Sequence, residues 1–315
     1  MSLFKFTNGT HYQDYIFEDG AEKIRWLSTI RLVLCLLNVI LCGFVVSAII
    51  IYKKTRARGF NLYLVFLLIP DIYLSLWISY MITSSFVSNK YPPTSHACIV
   101  MSISVHFYLC CNMWVNVLTA FEVFQMLKTS ANAQRFQPSP TRKVVCRVSL
   151  VYIASLLNGF FQSINLPFSD VYIDVHSCIG TRRHLQIPNL MNIVSLLTIM
   201  IIPIASLLCI TIFVHTKGMV TPSGRSRFLA TYFLRICFIS IVNMTSICFL
   251  NIKYRPYLYF IANSLMLLQG LIVSTLSLQK PDIWKAASHI ILYRSSRFEN
   301  KLITKNTQSS EQVIA

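Results

Sequence analysis

The sequence predicts an all-α membrane protein, a seven-transmembrane helix bundle with a short amphipathic eighth helix. Seven apolar stretches fill most of the 315 residues, and only 12% of residues are charged. The hydrocarbon core of a bilayer, about 30 Å thick, requires roughly 20 apolar residues of helix, and each stretch reaches that length. Too little polar sequence remains to cover this surface in water, which excludes a soluble domain.

The predicted spans follow one another with short connections. They are Ile30–Tyr52, Phe60–Ser88, Cys98–Leu127, Val144–Phe168, Ile187–Val214, Phe228–Leu250 and Tyr257–Gln279. Pro70 in the second span and Pro203 in the fifth are predicted to kink their helices and to free carbonyl groups that neighbouring helices must satisfy. We expect an extracellular N-terminus over 1–28, the bundle over 29–280, an interfacial helix over 281–297 and a disordered cytoplasmic tail over 298–315.

Basic residues are concentrated in the loops on one side of the predicted bundle. These loops and the tail hold eighteen Lys and Arg against three acids, whereas the other side holds eight against six. The positive-inside rule makes the basic side cytoplasmic. We therefore expect a multi-pass protein of the cell membrane with its N-terminus outside and its C-terminus inside. Attraction to anionic membrane lipid explains the basic loops. Nucleic-acid binding is disfavoured, since no platform of aromatic and basic residues accompanies them.

The outer side carries two predicted modification features. Asn8-Gly9-Thr10 fits the glycosylation pattern, which makes Asn8 a candidate acceptor. Of the ten cysteines, only Cys98 and Cys178 fall where the oxidising outer compartment reaches them, so a disulfide between the third helix and the second outer loop is expected. No His or Cys residues occur at metal-ligand spacing.

Several motifs resemble those of the G-protein-coupled receptor superfamily. The second span reads Asn61-Leu62-Tyr63-Leu64-Val65-Phe66-Leu67-Leu68-Ile69-Pro70-Asp71, which is similar to the rhodopsin-like run ending in an intramembrane acid. Cys98 begins the third span, Asn112 follows where that family places a polar partner of the acid, and Pro203 matches its fifth-helix proline. Glu122-Val123-Phe124 replaces the family's acid-Arg-Tyr. Gln269-Gly270 in the last span is similar to secretin-like and slime-mould cyclic-AMP receptors. The chain resembles a divergent receptor of this superfamily.

Four buried ionisable or polar residues are candidates for an intramembrane switch: Asp71, Asn112, Glu122 and Arg235. A charge within a bilayer requires an interior partner. Asp71 has Asn112, Asn263, Gln269 or a bound sodium ion as candidate partners, and a purely structural, hydrogen-bonded Asp71 is the alternative. Glu122 and Arg235 are expected to form a salt bridge between helices three and six, unless each reaches the inner interface independently.

The resemblance places the ligand site in the outer half of the bundle. The candidate ligand-binding residues are Tyr80, His106, Phe107, Gln162, Asn189, Asn192, Tyr259 and Asn263. For each of them the alternative is a polar or aromatic residue satisfied between helices.

The expected function is transduction of a signal from an unknown extracellular ligand to a heterotrimeric G protein on the cytoplasmic face. A seven-helix transporter or channel is the alternative, although seven spans do not divide into the two similar halves typical of transporters. We expect no enzymatic activity, since no catalytic constellation is visible, and no cofactor. Retinal in particular would need a lysine in the middle of the last span, and Tyr257–Gln279 has none.

Overall fold

A computed structural model describes residues 20–56, 59–88, 95–131, 139–164, 171–174, 177–180, 197–217 and 256–291. The helices are α1 (Gly20–Ile51), α2 (Lys53–Arg56), α3 (Gly59–Ser88), α4 (Ser95–Ala131), α5 (Thr141–Ile164), α6 (Ile202–Thr216), α7 (Pro256–Leu278) and α8 (281–291). A π-helical turn, Leu197–Ile201, leads directly into α6. The predicted sixth span, Phe228–Leu250, lies outside the described residues.

Five of the described helices are long and apolar enough to cross a membrane. Their apolar stretches are Trp26–Ile51, Gly59–Ser84, Ile103–Thr129, Thr141–Phe161 and Leu197–Thr216. These stretches overlap the first five predicted spans. A shorter apolar stretch in α7, Ser264–Leu278, overlaps the seventh. Seven spans in alternating directions stay a prediction.

Successive helices pack against one another, with α4 in the interior. α1 packs against α3, α3 against α4 and α4 against α5, while α7 returns to contact α1 and α3. The core side chains of α4, including Met101, Tyr108 and Met113, are almost completely buried. The short connections predicted from the sequence favour this packing of neighbours.

The outer faces of α1 and α5 expose large apolar side chains. On α1 these include Val33, Leu37 and Ile40, and on α5 they include Leu150 and Ile153. Positions three or four apart lie on one face of a helix. Such continuous apolar faces are unfavourable in water but are the surface that a bilayer requires, so they are the faces we assign to lipid.

Both prolines interrupt a helical hydrogen bond, and an aromatic donor from a neighbouring helix replaces it. Pro70 has no N–H for the carbonyl of Phe66, four residues earlier, and the hydroxyl of Tyr152 in α5 donates to that carbonyl. The turn before Pro203 is π-helical, and in such a turn an N–H bonds to the carbonyl five residues earlier. That carbonyl is the one of Thr198, which accepts from the indole N–H of Trp114 at 2.9 Å. The prediction that neighbouring helices satisfy the freed carbonyls is confirmed.

The predicted second outer loop contains a short antiparallel hairpin that the all-α prediction did not include. Strands β1 (Val171–Asp174) and β2 (Ser177–Gly180) pair with Ile173 opposite Cys178. The β-branched and aromatic residues of β1 explain the strand. β2 lies against α4.

Helix α8 lies against the C-terminal end of α1. Ile283, Ala286 and Ala287 are buried, and the two alanines pack with Ala48 of α1. Trp284 is exposed, as expected for an interfacial helix. The helix begins at the predicted position, and residues 292–297 of the predicted segment lie outside the described residues.

Candidate functional site

A layer of polar side chains lies near the middle of α3, α4 and α7. Asp71 is buried, and its Oδ1 accepts a hydrogen bond from the hydroxyl of Tyr108 at 3.0 Å. The same hydroxyl lies 3.1 Å from the carbonyl oxygen of Met266. Asn112, one turn after Tyr108, and Gln269, three residues after Met266, are also buried. We call Asp71, Tyr108, Asn112 and Gln269 the polar layer.

The hydroxyl of Tyr108 has one hydrogen and two acceptors within reach. An ionised Asp71 can only accept, so it draws that hydrogen to the carboxylate. A protonated Asp71 can itself donate to the hydroxyl, which frees Tyr108 to donate to the carbonyl of Met266. A proton on Asp71 therefore changes the acceptor of the Tyr108 hydrogen from the carboxylate of α3 to the Met266 carbonyl of α7, while the contact with Asp71 is kept.

The polar layer also contains polar atoms without a hydrogen-bond partner in the described part of the chain. They are Oδ2 of Asp71 and both side-chain amide atoms of Asn112 and of Gln269. A buried polar atom left unsatisfied costs about 1–3 kcal/mol. Carboxylate and amide oxygens are the ligands that hard cations prefer. The layer therefore fits the sodium ion that is one of the predicted partners of Asp71, and Asp71, Asn112 and Gln269 are the residues that would hold it.

A second network extends the polar layer to α1. Asn38 donates to the hydroxyl of Ser75 at 2.8 Å, one turn after Asp71 in α3. The thiol of Cys42 donates to Oδ1 of Asn38 at 3.0 Å, and Ser274 of α7 donates to that sulfur at 3.2 Å. Polar contacts thus connect α1, α3 and α7 at the same depth as the polar layer.

A cluster near the predicted cytoplasmic end of α4 surrounds Glu122, which is 3% exposed. The backbone N–H of Ser139 donates to Oε1 at 3.2 Å, and the Ser139 hydroxyl donates to Oε2 at 3.1 Å. Nη1 of Arg147 in α5 lies 3.7 Å from Oε2. We call Glu122, Ser139 and Arg147 the inner cluster. Arg235 lies outside the described residues, so its predicted salt bridge with Glu122 stays a prediction.

Asn61 connects the start of α3 to the junction of α7 and α8. Its Nδ2 donates to the carbonyl of Thr55 at 2.9 Å and to Oδ2 of Asp282 at 3.0 Å. Its Oδ1 accepts from Nζ of Lys280 at 2.6 Å, and that ammonium lies 4.5 Å from the ring centroid of Phe60. One amide therefore connects α2 to the start of α8.

Three predicted ligand-binding residues fall within the described side chains. Tyr80 is exposed, His106 is half-buried, and the ring of Phe107 packs edge-on against Tyr73 and Tyr152. The side chains of the other five lie outside the described residues: Gln162, Asn189, Asn192, Tyr259 and Asn263. The ligand site stays a prediction.

The predicted disulfide concerns two side chains that also lie outside the described residues. Cys98 belongs to α4 and Cys178 to β2, and these two elements contact each other. The bond stays a prediction. Asn8 lies outside the described residues. In the described part of the chain, no three His, Cys, Asp or Glu side chains form a metal site.

Sequence reasoning missed several residues of the polar layer, of the second network and of the inner cluster. Tyr108 stands four residues before Asn112, a spacing that places both on one helix face, and this signal was available. Asn38 and Cys42 have the same spacing. Ser139 and Arg147 gave no comparable signal, because their partner Glu122 belongs to another helix.

Comparison with protein-family models finds no match to this chain, and comparison with curated proteins finds none either. The polar layer and the inner cluster are therefore the features from which a function is inferred.

Proposed function

We propose that the chain is a seven-helix receptor of the G-protein-coupled type, in the cell membrane with its N-terminus outside. An extracellular ligand would favour one arrangement of the bundle, and a heterotrimeric G protein would bind the basic cytoplasmic face in that arrangement. Such a receptor needs two packings of similar free energy and a ligand with different affinities for them.

The incompletely satisfied polar layer is the observation that carries this proposal. The Tyr108 hydroxyl can donate its hydrogen either to Asp71 of α3 or to the Met266 carbonyl of α7, and Asn112 and Gln269 keep amide groups available for new hydrogen bonds. A fully satisfied apolar core would resist rearrangement. A layer with exchangeable donors supports relative movement of α3, α4 and α7 at small cost in free energy.

The fit to a sodium ion adds to this proposal. When bound, the ion supplies positive charge beside a buried carboxylate. Asp71 would balance that charge, while the amide oxygens of Asn112 and Gln269 would complete the set of oxygen ligands. The ion would stabilise the arrangement in which these three side chains converge, which is differential binding of the kind a two-state receptor needs.

The inner cluster supports a second point of control. Ser139 and Arg147 hold Glu122 against the start of α5. In the proposal, Arg235 of the predicted sixth span, Phe228–Leu250, competes for Glu122 of α4. The inner ends of α4 and of that span then stay together in the inactive arrangement. Removal of the Glu122 charge should then favour the active arrangement.

Basal G-protein activation in cells tests this function without knowledge of the ligand. The wild-type chain, Glu122→Gln and Arg235→Ala would be compared at matched surface expression with sensors for each G-protein class. We expect both variants to raise the basal signal of the same class. Equal signals from all three chains and from cells without the chain contradict coupling. Ligand screening by second-messenger change would follow, with the Arg235 variant as control.

A further inference from the structure

The segment before α5 carries a sequence typical of a phosphorylation site. Ser139 is followed directly by Pro140 and, at the third position, by Arg142, the pattern that proline-directed serine/threonine kinases modify. We propose that Ser139 is a phosphorylation site and that its phosphate opens the inner cluster. This inference rests on the cytoplasmic placement of the loop in the proposed function.

Ser139 is the residue of this segment that holds Glu122. Both its backbone N–H and its hydroxyl donate to the carboxylate, one to each oxygen. Hydrogen bonds to an ionised acceptor are roughly twice as strong as neutral ones. Because the hydroxyl that a kinase would modify is the same group that donates to Glu122, phosphorylation removes this bond directly.

The segment has no room to move toward α3. A Cβ atom on Gly59 would lie 2.9 Å from the carbonyl oxygen of Ser139 and 3.6 Å from Val144. Gly59 is buried, and the absence of its side chain is what allows the close approach. A larger group on Ser139 therefore has to displace the segment away from the bundle.

The charges in the inner cluster also favour opening. A phosphoserine carries a charge of about −1.5 to −2, and its Oγ no longer has a hydrogen to donate. The phosphate would stand beside the carboxylate of Glu122. Arg147 lies 3.7 Å from that carboxylate and would have to balance the charge of both anions. A buried carboxylate that loses its partner is strongly destabilised. Displacement of Ser139 relieves this repulsion.

The modification itself is an ordinary phosphoryl transfer. Oγ of Ser139 attacks the γ-phosphorus of ATP bound to the kinase, and a new Oγ–P bond forms. The bond from that phosphorus to the β,γ-bridging oxygen breaks, ADP leaves, and the hydroxyl proton passes to the general base of the kinase.

Treatment of the full chain in lipid nanodiscs with a proline-directed kinase and Mg-ATP tests the site. Mass spectrometry of the digested chain should find phosphate on Ser139 in the wild type and in Glu122→Gln, and not in Pro140→Ala or Ser139→Ala. A peptide covering 134–147 serves as the positive control for the kinase. A modified peptide together with an unmodified full chain overturns the proposal.

Hydrogen–deuterium exchange then tests the opening. Phosphorylation should accelerate exchange over residues 139–147 about tenfold in the wild type, since charge-assisted bonds are lost. The acceleration should be clearly smaller in Glu122→Gln, where the repulsion is absent. Equal acceleration in both chains, or none in the wild type, overturns the role of Glu122. No G protein takes part in these measurements, so failure of coupling leaves their expected results unchanged.

Discussion

Asp71 is a buried carboxylate with one oxygen bound to Tyr108 and the other without a partner in the described part of the chain. Replacement by Asn keeps its size and removes the charge that a cation needs. We expect the wild-type chain to unfold at higher temperature in sodium chloride than in potassium chloride. At a sodium concentration about ten times its Kd, the stabilisation is about 1.4 kcal/mol.

The Asp71→Asn variant should lose this difference between the two salts. Asp282→Asn, which removes a carboxylate at the start of α8, should keep it. Thermal unfolding in detergent, with both salts at equal ionic strength, measures the effect. Identical midpoints for the wild type in sodium and potassium would show that the polar layer binds no sodium.

Gly270 and Gly43 form a matched pair for testing close packing. A Cβ on Gly270 would overlap the amide of Asn38, which is held by Ser75 and Cys42. We therefore expect Gly270→Ala to lower the free energy of unfolding by about 1–3 kcal/mol. A Cβ on Gly43 meets nothing within 4 Å, so Gly43→Ala should be neutral or stabilising by up to about 1 kcal/mol. Equal destabilisation of both variants would contradict the contact with Asn38.

At the scale of elements, Asn61 determines how firmly α8 is attached to the bundle. Asn61→Ala removes its bonds to Asp282 and Lys280 together. We expect backbone hydrogen exchange in 281–291 to rise about tenfold, which corresponds to the loss of charge-assisted bonds. Asn116→Ala removes another buried amide, distant in sequence from α8, and should leave exchange there unchanged. A similar rise in both variants would mean that Asn61 acts only through general stability.

The sequence predicted the positions of the helices better than the contacts between them. Long apolar runs locate α1, α3, α4, α5 and α6, because a bilayer leaves little choice of structure for such runs. Pro70 and Pro203 predicted two freed carbonyls. They did not predict that Tyr152 and Trp114 would be the donors. Which side chain reaches a carbonyl depends on the rotation and depth of two helices, and single-sequence periodicity contains neither.

The same limit applies to the candidate site. Asp71, Asn112 and Glu122 were recognisable because polar residues are costly within apolar spans. Their partners were not, since Tyr108 lies 37 positions from Asp71 and Ser139 lies 17 from Glu122. The expected partners of Asp71 were the amides of Asn112, Asn263 and Gln269 or a bound sodium ion, whereas the observed donor is a phenol.

The charge distribution of the whole molecule predicts its orientation in the membrane. Basic loops on one side predict that the N-terminus and the C-terminus lie on opposite faces of the membrane. In intact cells, we expect an N-terminal epitope tag to bind antibody without permeabilisation and a C-terminal tag to bind only after it. Both tags accessible under the same condition would contradict seven spans, and with them the receptor proposal.

Trp114 also gives the molecule a built-in optical reporter. Its indole N–H is bound to the Thr198 carbonyl that Pro203 cannot serve, so the ring senses whether 197–201 keeps its wide π-helical turn. The chain has four tryptophans, and replacement of Trp26, Trp77 and Trp284 by Phe leaves a single fluorophore. The wavelength of its emission maximum would then report the unwinding or tightening of the π-helical turn before α6, in real time and without an attached dye.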